Sequence, residues 1–149
     1  MPTAESKITV KAKVEEIYGF LRDLRNIGRC LGVVEEINLV DGEAIWILKT
    51  QQARITRTRE VRAKYITLEE NKRIIWEAKG GNLYIHGEFI FKTNSEIEVN
   101  VKLTFEVLGP LGAILRPMIS ITIGSRLESL IQYLKENVEA SHTLIHKPV

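Results

Sequence analysis

From Glu96 to Val107 apolar and polar residues alternate without a break. Ile97, Val99, Val101, Leu103, Phe105 and Val107 fall on one side, and Glu96, Glu98, Asn100, Lys102, Thr104 and Glu106 on the other. Period two with one solvated face predicts a strand of an antiparallel sheet. Ser6–Ala12 alternates around Ile8 and Val10 and predicts a short first strand. Val33–Val40 and Glu43–Gln51 flank Asp41-Gly42, a pair whose residues tolerate the positive φ of a tight hairpin. Arg73–Lys79 and Leu83–Lys92 flank Gly80-Gly81-Asn82, a second hairpin. Ala53–Leu68 reads as one long strand between them, closed by the polar turn Glu69–Lys72, and Thr93-Asn94-Ser95 makes a third turn.

Two stretches carry helical spacing instead. Val14, Ile17, Leu21 and Leu24 predict an amphipathic helix, and Asn26–Leu31 a short second one ended by Gly32. After Gly109-Pro110, the stripe Ile123, Leu127, Leu130, Leu134 and Val138 predicts a long helix. It begins near Pro117 or slightly earlier, since proline suits a first turn better than an interior. Ser141–Val149 is expected to be a frayed tail. The order is strand, one or two short helices, six hairpin-linked strands, long helix. That is an α+β fold with a seven-stranded antiparallel sheet. Its apolar face needs a cover, and only the last helix is long enough to supply one.

Composition narrows the class. With 149 residues a single domain is expected over 1–149. Net charge is +2, which implies no general polyanion binder. The single cysteine, Cys30, excludes an internal disulfide. The N-terminus has no apolar segment of signal-peptide type, and the most apolar stretch, Leu111–Gly124, is too short to span a bilayer. A cytoplasmic location follows as the expectation. Nineteen isoleucines beside three glutamines suggest a thermophilic source.

Three segments carry a family resemblance. "VKAKVEEIYGFLRDLRNIGRCLGVVEEI" is similar to an opening strand, a helix with a Leu–x–Asp segment (Leu21-Arg22-Asp23) and a Cys-Leu-Pro-Gly-Val stretch; the proline is missing here. "GGNLYIHGEFIFK" resembles a glycine-punctuated sixth strand, and "VKLTFEVLGPLGAIL" the last strand and entry to the long helix. The chain thus resembles the helix-grip superfamily of START domains and polyketide cyclase/dehydrase-like proteins, and within it the carbon monoxide dehydrogenase subunit family CoxG. The resemblance implies a curved sheet gripping the long helix, with room between them for a hydrophobic small molecule such as a lipid, quinone or polyketide. It also implies a partnership with dehydrogenase subunits. No cofactor is expected.

Parity places Trp46, Trp76, Phe89 and Phe105 on the concave face, opposite Ile123 and Leu127. These are either filled core or the lining of an apolar pocket. In Ala53–Leu68, Arg57 and Arg59 share the inward parity of Val61 and Tyr65. A buried guanidinium is costly unless paired. Three outcomes stay open: a bulge turns them out, they pair with an acid such as Glu35, or they hold an anionic or carbonyl head group. Lys49–Arg73 holds eight Lys/Arg against three acids, read as a solvated sheet face; without interleaved aromatics it does not suggest nucleic acid. His142 and His146 stand four apart without a nearby carboxylate, and His86 faces outward, so no metal site is expected. No acid–base pair or nucleophile motif is present.

A non-catalytic binder of an apolar molecule is therefore the first reading. The second is a cyclase/dehydrase-like enzyme in which Arg57, Arg59 or Tyr65 stabilises an enolate. The third is an interaction module with a filled core. The chain is expected to be a monomer, or a homodimer through the outward Ile45, Ile47 and Ile75.

Overall fold

In the computed structural model, which describes residues 2–145, the elements run β1 (Thr3–Val10), α1 (Val14–Leu21), α2 (Leu24–Leu31), β2 (Val34–Val40), β3 (Glu43–Leu48), α3 (Thr50–Thr56), β4 (Glu60–Glu69), β5 (Arg73–Gly80), β6 (Leu83–Thr93), β7 (Ile97–Val107) and α4 (Gly109–Ile145). The strands form one antiparallel sheet in the order β1-β7-β6-β5-β4-β3-β2. The alternation predicts the seven antiparallel strands, and the family resemblance predicts the helix-grip arrangement they form.

The hairpins form where turn chemistry places them. Asp41 and Gly42 both take positive φ, 50° and 79°. Gly81 (φ 53°) turns β5 into β6 so that Gly80 pairs with Leu83. Gly80 also lies against the backbone of Glu60, where a β-carbon would collide. The inward parity of β7 holds at its centre, where Val99, Val101 and Leu103 are fully buried and Lys102 on the other face is exposed; toward its end Thr104 is buried on the outer face and Phe105 half-buried on the inner one.

Asp23 starts α2 by accepting the Arg25 backbone N–H at 2.9 Å, and Gly32 (φ 72°) ends it in the left-handed conformation. Its Leu24, Ile27 and Leu31 join the core with Ile17 and Leu21 of α1. The stripe Ile123, Leu127, Leu130, Leu134 and Val138 lies buried along α4, and α4 packs on β7, β1 and α2.

Several boundaries shift by two or three residues, among them the end of β3 at Leu48 rather than Gln51 and the start of α2 at Leu24 rather than Asn26, and two differ more. The first lies in Ala53–Leu68, which is not one strand. Its first part belongs to α3, and β4 starts only at Glu60. The second is the start of α4, eight residues before Pro117. Gly109 (φ 73°) makes the turn out of β7, and Gly112 lets the first helical turn approach the Val107 carbonyl more closely than any β-carbon would allow. Pro117 therefore sits inside the helix and leaves the Ala113 carbonyl without its usual donor. Residues 141–145, part of the expected tail, are helical; residues 146–149, with His146, lie outside the described residues. Among the described residues no helix is long and apolar enough to cross a membrane.

Candidate functional site

A cavity of about 180 Å³ opens between α3, α4 and the sheet. Leu48, Leu83, Phe105 and Val107 form its floor, Met118, Ile119, Thr122, Ile123 and Arg126 of α4 one wall, and Gln51, Gln52, Ile55 and Thr56 of α3 the other. Val33 closes the end nearest α2.

The α3 wall exists because the chain leaves the sheet at Leu48. Gln51, Gln52, Ala53 and Arg54 are better helix than strand formers. Arg57 ends the helix in the left-handed conformation (φ 53°), and its backbone N–H and that of Thr58 both reach the Ala53 carbonyl. No residue of α3 is buried. Its anchor is the nearby Thr58, which is buried and whose hydroxyl accepts the Asn82 N–H at 3.0 Å. The Asn82 carbonyl in turn accepts the Leu108 N–H at 2.6 Å. The α3 exit, the β5–β6 hairpin and the β7–α4 corner are thereby tied together at the cavity's end.

This path turns the two arginines out, by a helix rather than a bulge. Arg57 is exposed. Arg59 is exposed as well and meets Glu35 at 3.1 Å, the acid anticipated for it, but at the surface. Arg62 pairs with Glu43 at 3.6 Å and Arg73 with Glu69 at 2.8 Å, so three cations of the basic stretch have acidic partners at the surface. Such pairs contribute under about 1 kcal/mol each.

The other candidates divide. Phe105 and Ile123 line the cavity, and Leu127, one turn further on, is buried beside them. Trp46, Trp76 and Phe89 are fully buried in the core and do not reach the lining. The two indoles meet edge to face at 5.6 Å between centroids. They fit because Gly28 lies beside Trp46 and Gly87 beside Trp76. Neither indole N–H has a hydrogen-bond partner among the described residues. Tyr65 donates its hydroxyl to the Leu21 carbonyl at 2.6 Å, tying β4 to the end of α1, and burial raises its pKa.

Ile45, Ile47 and Ile75 lie half-buried on the outer face of the sheet, where Ile45 faces Arg62 and Ile47 faces Glu60. The most exposed large apolar side chains are elsewhere, on α4: Ile114 (73%) and Ile121 (80%) in its first half and Leu144 (78%) near its end. His86 stacks on Tyr84, and His142 meets Glu16 at 2.9 Å. Burial pushes the Cys30 thiol up to about 12. Among the described residues no three His, Cys, Asp or Glu gather to hold a metal ion.

Sequence reasoning missed the α3 wall, together with Met118, Thr122 and Arg126. The signal for α3 was the Gln-Gln-Ala-Arg run, a break in the β-branched composition. A strand reading there also put two arginines on the core face.

Residues 7–142 match the carbon monoxide dehydrogenase subunit family CoxG. Among solved structures the fold is similar to a conserved protein from Geobacillus kaustophilus (TM-score 0.71, 16% identity, covering 94% of this chain and 97% of that one). It is also similar to a START superfamily protein from Mycobacterium smegmatis (TM-score 0.69, 16% identity, 93% and 97%). A third similar structure is the di-domain ARO/CYC StfQ from the steffimycin biosynthetic pathway (TM-score 0.66, 12% identity, 94% and 52%). At these identities the likeness is one of fold. No curated protein matches the sequence.

Proposed function

The chain belongs to the CoxG family of carbon monoxide dehydrogenase subunits, and from that premise we propose that it binds a hydrophobic small molecule between sheet and α4, as an accessory to a molybdenum-type dehydrogenase. The cavity beside α3 carries this reading. Its lining is mostly apolar with a few polar groups, the usual make-up of a small-molecule site. Its volume of about 180 Å³ is close to that of an engineered apolar cavity of about 150 Å³ that takes up benzene. A ring-sized group fits within, and a longer molecule extends through the mouth.

Binding without catalysis is favoured over a cyclase-like reaction by the lining itself. Its polar side chains are Gln51, Gln52, Thr56, Thr122 and Arg126. None of these moves a proton readily near neutral pH, as an acid–base mechanism requires.

The test is native mass spectrometry of freshly purified protein, with organic extraction, beside a Thr122→Trp variant that fills the cavity from its exposed wall. A reproducible apolar adduct on the wild type, absent from the variant, is expected. An empty wild type that also takes up no quinone, fatty acid or polyketide from a panel overturns the reading in favour of an interaction module.

A further inference from the structure

We infer that Arg126 is the head-group reader of this cavity and that the ligand is an apolar body carrying an anionic oxygen, in its simplest form a carboxylate. The inference rests on the binding reading above and adds the ligand's charge and orientation.

Three observations converge. The first is a cation without an anion. Arg126 lines the cavity, is partly buried, and its side chain makes no hydrogen bond or ion pair among the described residues. Arg59, Arg62 and Arg73, all on the surface, each have an acid. The guanidinium lies over the end of α2, about 4.0 Å from where a β-carbon on Gly32 would sit. The carboxyl end of a helix favours a cation there but leaves all five guanidinium N–H groups available. Drawing a guanidinium partly out of water costs energy that an oxyanion partner offsets, and the planar fork suits a carboxylate in two-point contact.

The second observation is the sequence of the two segments that build the site. Between Glu43 and Glu60 the chain carries Lys49, Arg54, Arg57 and Arg59 and no acid. Between Glu106 and Glu128 it carries Arg116 and Arg126 and no acid. These two stretches supply α3, the cavity-facing half of α4 and the corner leading into it. Only Arg59 among the six cations has an acidic partner within ion-pair distance among the described residues. A low-dielectric cleft with charge of one sign concentrates ligands of the other. The whole chain is nearly neutral at +2, so this end is compensated elsewhere.

The third is orientation. Phe105, Leu83 and Val107 at the floor offer no polar contact to a ligand through their side chains. Gln51 and Gln52, on the α3 wall, make no side-chain hydrogen bond among the described residues. An amphipathic ligand thus places its ring on Phe105 and turns its oxygens toward Arg126, where amide donors from α3 add neutral contacts.

The test compares benzoate with benzamide, of the same shape and without charge, by NMR titration of the full chain. Wild type is expected to bind benzoate about tenfold more tightly, the order of a charge-assisted pair over a neutral one. Arg126→Gln is expected to bring the ratio to about one. A two-point contact in a partly buried site keeps much of its preference at high salt, whereas diffuse attraction is screened. Three results overturn the assignment: equal binding of the two probes, a preference that survives Arg126→Gln, or one that vanishes in wild type at 0.5 M salt, about 4–5 Å of Debye length. If neither probe binds and the apolar panel also fails, the binding reading falls and takes this inference with it. Uptake of neutral ligands alone sinks only the role of Arg126.

Discussion

The indole of Trp76 occupies the space that a β-carbon on Gly87 would need. The two residues face each other across β5 and β6, and an added methyl would fall well inside van der Waals contact with the ring. Trp76 is fully buried at the centre of the concave face, so the ring has nowhere to go. Gly87→Ala is expected to cost about 1–3 kcal/mol or more, by overpacking. Urea denaturation reads the loss. Shrinking the ring in a Trp76→Phe background should recover part of it, because the two sites share one contact. Independent, additive losses would show that Gly87 matters for some other reason.

Tyr65 links the sheet to the helical pair through one short hydrogen bond to the Leu21 carbonyl. Tyr65→Phe keeps the ring and removes the donor. The expected loss is about 1 kcal/mol, or roughly 2–4 °C in Tm for a chain of this size. An unchanged melting temperature would mean water replaces the hydroxyl without penalty.

Asp23 carries a pH dependence of definite sign. Its hydrogen bond and ion pair with Arg25 hold the carboxyl below the usual carboxylate range. A depressed folded pKa stabilises above the unfolded value, near 3.9, and that contribution is lost as pH falls through the folded value. The pair is largely exposed and solvent-screened, so the contribution is small. Asp23→Asn keeps a good helix cap but cannot titrate. It should therefore lose less stability than wild type between neutral pH and about pH 3. Parallel acid-unfolding curves would remove Asp23 from the account.

Cys30 is 2% exposed, and its thiol is pushed up to about 12. The thiolate is the reactive form. Ellman's reagent should therefore leave the native protein untouched at about pH 8 and titrate one thiol in denaturant. Prompt reaction under native conditions would show that the α2 region opens far more readily than its packing implies.

Where the chain obeyed one periodicity at a time, the fold was legible in the sequence. Ile97 to Val107 alternate cleanly because β7 turns one face to the apolar core and a polar face away from it. The stripe from Ile123 to Val138 is clear because α4 packs along one side. Legibility failed between Ala53 and Arg59, where a seven-residue helix is too short to show its period beside a strand. Propensity there pointed to helix, and the continuing β pattern of Val61, Ala63 and Tyr65 masked it. The site suffered for the same reason. Trp46, Trp76 and Phe89 were legible as inward, but whether an inward ring lines a cavity or fills it depends on what packs opposite. Gly28 and Gly87 decide that for the tryptophans, through contacts remote in sequence. Arg126 was hidden for a different reason: it lies one residue before Leu127 in the core stripe, and nothing local separates a cavity wall from a solvated flank.

The absence of buried residues from α3 bears on how this scaffold can change. Gln51, Gln52, Ile55 and Thr56 all face the cavity, yet none supports the hydrophobic core. Substitutions at such positions usually alter stability by no more than about 0.5 kcal/mol. The wall that meets a ligand can therefore drift in sequence while the sheet and α4 stay fixed. Selection can thus revise the α3 share of ligand contact without reopening the fold, whereas Leu48, Leu83, Val107 and Ile123 serve cavity and core at once.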